Sequence, residues 1–249
     1  SIAAEKADKE GQWLFTIQKP SLLPFLSFSA KRALREKMWK AYTNQCNDGD
    51  ELDNKEILKE MVKLRIEKGQ LMGYDTYANF VLDDRMAKTP ERVFELLNKL
   101  MAEGNKVAQQ ERSEMQAMIE SEGHDFKLAP WDWWYYTEKL RVQKYNFNEE
   151  ETRPYFKLEN VRTAMFEVAT KLWGLEFKER TDLPKYNENN IIFEVAEANG
   201  DHLGILYMDF HPRASKGPGA WMTSFMKQHT VDGQRVAPVI SVVCNFTAP

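Results

Sequence analysis

Cysteine is scarce in this sequence: two thiols, Cys46 and Cys244, stand far apart and form no metal-ligand or redox pair by spacing. Both read as ordinary reduced core thiols, since free cysteine is among the most buried residue types. Long apolar runs are missing too. No stretch reaches the roughly 18 consecutive apolar residues of a membrane span, and the opening SIAAEKADKEGQ lacks the apolar centre of a signal peptide. Neither sign of charge dominates, because 34 Lys and Arg are interspersed with 38 Asp and Glu. Bulk charge therefore recruits neither nucleic acid nor an anionic membrane, and a soluble globular chain is expected. There is no internal repeat and no low-complexity linker.

Several catalytic signatures are absent. The four histidines, His124, His202, His211 and His229, do not form a His-Glu-x-x-His pair, which would set two imidazoles on one helical face. No Gly-x-Ser-x-Gly elbow and no Gly-x-x-x-x-Gly-Lys phosphate loop occurs, although scattered residues leave a Ser-His-Asp set open.

What is present is apolar periodicity. With 43% apolar residues over 249 positions, the chain has enough material for a substantial core. Apolar spacing predicts a helix over 29–47, with Ser29 as N-cap, and a second from about Asp53 toward Gly69. Thr89-Pro90 opens a third, reaching about Glu122 before Gly123, with Gly104 as a possible bend. Pro130 introduces a fourth, and another runs from about Glu159 to Gly174. In WDWWYY the rings at helical spacing read as core in preference to a stacking platform for sugars or bases.

Period-two alternation appears in two places. QWLFTIQ near the start reads as a half-buried strand with no adjacent partner, which leaves a distant partner or absent preceding residues as explanations. After Leu183-Pro184, two apolar runs flank Asn199-Gly200 as a hairpin, and residues 221–226 and 239–246 form a second pair whose connection carries Asp232-Gly233. The expected architecture is mainly α with a small antiparallel sheet near the C-terminus, an α+β order: helical over 1–183, sheet over 184–249. The run PVISVVCNF reads as a strand covered on both faces, an unusual place for a chain to stop.

Two stretches invite a chemical reading. Asp209 and His211 lie two apart, which on a strand would set a carboxylate beside an imidazole; a surface pair at a strand end is the plainer account and the favoured one. In ASKGPGAWMTSF, Gly217, Pro218 and Gly219 deny regular structure, and the small Ala220 precedes a strand. Either the glycines serve torsion alone or the small residues admit another backbone, as where an edge strand binds an extended peptide.

WDWWYYTEKLR, RPYFKLENV, KLWGLEF, LGILYMDFHPRASKGPGAW and PVISVVCNF, in that order and spacing, resemble the zinc peptidases of the thimet oligopeptidase family, and within it the peptidyl-dipeptidase branch. GQWLFTIQKPSLLPFL and LREKMWKAY resemble earlier segments of that branch, so the likeness covers essentially the whole chain. It implies a mostly helical fold with a deep channel between two halves, restricting substrates to short unstructured peptides. It also implies an internal fragment, truncated at both ends, because the family's His-Glu-x-x-His helix follows the strand resembling PVISVVCNF.

Zinc is accordingly expected in the full-length parent and not in this span, and no catalytic or metal residue is carried over. One role is: the strand resembling GAWMTSF borders the channel and pairs with substrate backbone, which makes Gly219, Ala220, Trp221 and Met222 the candidate substrate contacts. The activity implied is release of C-terminal dipeptides from oligopeptides by the parent, with the span itself inactive. The rival is a non-catalytic helical module for peptide binding or assembly. Expected partners are short peptides, with no nucleic acid and no membrane, and surface laid bare by truncation is expected to drive self-association. The expected compartment is the cytoplasm; periplasm and secretion stay open, since a leader would precede Ser1.

Overall fold

The computed structural model describes residues 11–147 and 151–246. Residues 247–249, which follow the apolar run discussed above, lie outside the described residues. The chain divides into two compact units, 25–143 and 1–24 with 144–249.

The unit 25–143 is helical. In chain order the helices are α1 (Lys19–Phe28), within which the sequence boundary at 24/25 falls, α2 (Arg32–Thr43), α3 (Lys55–Leu71), α4 (Tyr77–Leu82), α5 (Pro90–Ser121) and α6 (Trp133–Tyr145). The long third helix of the sequence reading is α5: the Thr89 side chain accepts from the Arg92 N–H, Pro90 stands in the first turn, and the helix continues unbroken through Gly104. Its C-terminal part buries Met115 and Ile119 against Tyr136, with Phe126, Leu128 and Trp133 packed around them.

A buried ion network docks α2. Asp132, fully buried in a 3-10 turn at Pro130–Asp132, receives Arg35 Nη2 at 2.8 Å and Arg32 Nη2 at 2.9 Å, while Arg35 Nη1 donates to the Ser29 carbonyl at 2.7 Å. Breaking a buried pair of this kind costs about 3–5 kcal/mol, because the surviving charge is left without compensation. The WDWWYY rings are accordingly mixed in burial: Tyr136 is core, and Trp134 is exposed.

The second unit contains α7 (Leu158–Trp173), ended by Gly174 in the left-handed region, and a five-stranded sheet. Its strands are β1 (Glu176–Glu179), β2 (Ile191–Ala196), β3 (His202–Asp209), β4 (Trp221–Met226) and β7 (Val239–Val243), in the order β1-β2-β3-β7-β4. Phe193, Met208 and Phe210 form the core of one face, and Phe166 of α7 stacks on Phe177 at 4.1 Å between ring centroids. The hairpin at Asn199-Gly200 is present as β2 and β3, and β4 pairs antiparallel with β7 as expected. The two strands β5 (His229–Val231) and β6 (Gln234–Val236) turn through Asp232 (φ 51) and Gly233 (φ 78), the paired positive torsions of a type I′ turn.

One pairing goes beyond the antiparallel expectation: β3 and β7 run parallel, Ile205 opposite Val239 through Asp209 opposite Val243. This places β7 inside the sheet, with Ser241 and Val243 buried on one face and Ile240 and Val242 only half-buried on the other, so the strand is covered less evenly than its apolar run suggests. Gly204 is required there, since a Cβ would stand 2.7 Å from the Pro238 carbonyl oxygen where the strands meet.

Other expectations fail. Among the described residues, 13–18 form no strand, and Trp13 is 79% exposed, so the alternation in QWLFTIQ does not become a sheet strand. The N-cap of α2 is Lys31, not Ser29, and makes no side-chain cap. Cys46 is exposed and Cys244 half-buried, so neither is a fully buried thiol. Among the described residues, no helix is long and apolar enough to cross a membrane.

Candidate functional site

Because β3 and β7 are parallel, their C-terminal ends lie side by side. The Cys244 N–H donates to the Asp209 carbonyl at 2.7 Å and the Phe246 N–H to the Phe210 carbonyl at 2.8 Å, extending the contact past the strands. The loop from Arg213 to Gly219 is fastened onto this junction and leads directly into β4, the terminal strand of the sheet.

Asp209 is the centre of the fastening. It is 2% exposed and closes β3. Lys216 Nζ lies 2.9 Å from its Oδ1, 3.0 Å from its carbonyl oxygen and 2.9 Å from the His211 carbonyl, so all three ammonium donors are used. Arg213 Nη1 reaches both carboxylate oxygens, at 3.0 and 2.9 Å, and the Tyr186 hydroxyl donates to Oδ2 at 3.0 Å. Burial pushes the carboxyl upward, but Lys216, Arg213 and Tyr186 together outweigh it and hold Asp209 below the usual carboxylate range. Burial also raises the Tyr186 phenol and the Cys244 thiol.

A second fastening comes from the β7 side. Asn245 Nδ2 donates to the carbonyls of Gly217 at 3.0 Å and Gly219 at 2.7 Å. Gly219 has φ +96 with nothing within 4 Å of its missing Cβ, so torsion is what demands glycine at that position.

An open cleft of about 250 Å³ lies beside the loop, walled by Tyr186, Trp221 and Phe225 with Asp209, Arg213 and Ser241 at its polar side. Trp221, Thr223 and Phe225 line it, the alternate residues of β4, as the strand period requires. Gly219, Ala220, Trp221 and Met222 are all exposed, and no strand pairs with the outer edge of β4 among the described residues. An edge of that kind offers main-chain hydrogen bonds to an extended chain.

The Asp209–His211 readings both need correction. Asp209 is neither at the surface nor directed to the imidazole; His211 Nδ1 lies 3.4 Å from the Phe246 carbonyl. The chain leaves strand geometry after Asp209, so spacing by two no longer sets the two side chains on one face. Lys216, Tyr186 and Asn245 were given no role by sequence reasoning. The stretch MDFHPRASK marked the right region, but which cation meets Asp209 depends on the loop's path.

Among the described residues no group of three or more His, Cys, Asp or Glu is placed to hold a metal ion. His202 Nδ1 sits 2.9 Å from Glu194 Oε1, His229 Nδ1 2.8 Å from the Lys227 carbonyl, and His124 stacks on Phe126. These residues do not assemble a zinc site.

Fold and site together define an α+β protein whose mixed sheet presents an open edge strand beside a cleft with aromatic walls and one polar side. Residues 25–249 match Peptidase family M3, and the chain belongs to that family. It is similar to dipeptidyl carboxypeptidase of Escherichia coli, with 34% identity over 253 residues covering 100% of this chain and 37% of that protein. It is also similar to oligopeptidase A of Salmonella typhimurium, with 33% identity over 258 residues covering 100% of this chain and 38% of the relative. A further relative is "Probable cytosolic oligopeptidase A" of Arabidopsis thaliana, 36% identical over 247 residues covering 96% of this chain and 35% of the relative. The chain thus spans less than two fifths of the length of the relatives it matches.

Proposed function

We propose that this span is the substrate-side part of a zinc-dependent peptidase that hydrolyses short oligopeptides and releases C-terminal dipeptides. The observation that carries the reading is the open edge of β4, with Gly219, Ala220, Trp221 and Met222 exposed at its start. Membership of Peptidase family M3 supports peptide hydrolysis, and the name of the Escherichia coli relative supports dipeptide release. The residues that hold zinc lie, in this reading, outside the described part of the chain, and no step is routed through the metal. What these residues do is align an extended peptide by antiparallel main-chain pairing on β4, with alternate substrate side chains facing the cleft. The proposed compartment is the cytoplasm, in line with the name of the Arabidopsis relative.

Two measurements on the 249-residue polypeptide test the proposal. Zinc stoichiometry with peptide turnover is expected to show neither a tightly held zinc nor hydrolysis; tight zinc with turnover overturns the assignment of the metal ligands to other residues. An unstructured oligopeptide is expected to bind, and N-methylation of its central amides to weaken binding about tenfold or more, since each lost hydrogen bond forfeits about 0.5–1.5 kcal/mol. Equal affinity of the methylated peptide rules out main-chain pairing.

A further inference from the structure

We propose that Asp209, Lys216 and Asn245 are positioning residues that fix the Arg213–Gly219 loop and, through it, the peptide-receiving edge of β4; this rests on the reading of β4 given above.

The loop has little of its own to hold it. Gly217 and Gly219 weaken any local preference, Gly219 has no neighbour within 4 Å of its missing Cβ, and among the described residues no strand covers the outer edge of β4. Its position is set from outside, at two points. Lys216 anchors the middle of the loop to the end of β3 through the Asp209 carboxylate and two carbonyls. Asn245, just after β7, holds the carbonyls of Gly217 and Gly219 on either side of Pro218.

Both anchor points exist because β3 and β7 are parallel and end together. The Lys216 and Asp209 side chains are 2% and 3% exposed, so the pair is shielded from solvent and from salt. Arg213 and Tyr186 occupy the other faces of the carboxylate, which leaves Asp209 paired when Lys216 is altered. An edge strand presents donors and acceptors at a fixed spacing, so a loop shift at Gly219 moves the start of the register an incoming peptide has to match. The polar atoms of these three side chains are engaged by the loop and its supports, and they act on the peptide through the loop.

The test uses the 249-residue chain with Lys216→Met, Asp209→Asn, Asn245→Ala and the double variant Lys216→Met/Asp209→Asn. Backbone amide exchange is followed by mass spectrometry over 214–226, with α7 and β2 as internal references. Exchange over 214–226 is expected to quicken about tenfold or more in each single variant, since each gives up at least one hydrogen bond that holds the loop, with the references unchanged. The double variant is expected to fall short of the product of the two single effects, because both remove the Lys216–Asp209 ion pair. Binding of an unstructured nonapeptide with a free C-terminus is expected to weaken about tenfold in step.

Unchanged exchange over 214–226, or equal quickening in α7 and β2, overturns the fastening. Asn245 is half-buried and uncharged, so Asn245→Ala keeps the test decisive if a variant at the buried ion pair fails to fold. Faster local exchange with unaltered peptide affinity overturns the positioning role. Failure of the unaltered chain to bind the peptide overturns the edge-strand reading and the positioning role with it, and the exchange result still separates that failure from a failure of the fastening.

Discussion

Asp209 shows how one buried carboxylate can be stable as an anion. Its burial costs solvation, which Lys216, Arg213 and Tyr186 return through direct hydrogen bonds, and the balance leaves the group below its ordinary range. A carboxylate held low in the native state adds stability that is complete above its unfolded value, about 3.9, and is lost as pH falls through the lower folded value. Urea unfolding midpoints measured from about pH 5 to about pH 2 are therefore expected to decline in the unaltered chain and to decline less in Asp209→Asn. Parallel curves would mean that Asp209 contributes nothing to acid sensitivity. At this scale the sequence was only partly readable: Gly217, Pro218 and Gly219 advertise an irregular loop by their own torsions, whereas Lys216 looks like any other lysine until β3 and β7 bring Asp209 beneath it.

Among elements, the ones governed by local chemistry were legible. Thr89 and Pro90 start α5, Gly174 stops α7 and Asn199-Gly200 turns the β2–β3 hairpin, each through a residue whose own backbone or cap decides the outcome. α1 was hidden by Pro20 and Pro24, residues that ordinarily argue against a helix, and β1 by its brevity. The parallel pairing of β3 with β7 depends on segments separated by a strand and a hairpin, and no short window contains it. Within α5, Gly104 has helical torsions and nothing within 4 Å of its missing Cβ. Gly104→Ala is expected to stabilise the chain by about 1 kcal/mol. That corresponds to a rise of about 2–4 °C in the midpoint of a thermal melt for a protein of this size. No rise would show that this part of α5 needs the flexibility of glycine.

At the scale of the whole molecule, apolar exposure stands out in the unit 25–143. Ile57, Leu58, Val62, Leu64 and Ile66 of α3 are each more than half exposed, as are Phe94, Leu96, Leu100 and Met101 of α5. Exposed apolar surface on this scale favours association, and we propose that copies of this chain cover it mutually. Sedimentation at micromolar concentration is expected to show species heavier than 29.1 kDa, and a monomer there would refute mutual covering. The strand order has a further consequence for how the molecule is made. β7 lies between β3 and β4 yet is synthesised after both. Until Val239–Val243 emerges, β3 has one unpaired edge and β4 has no neighbour in the sheet, because β7 is the strand that pairs with both. Two pairings therefore wait on one late segment, and ribosomal pausing between Met226 and Val239 would prolong the interval in which both lie open to wrong partners.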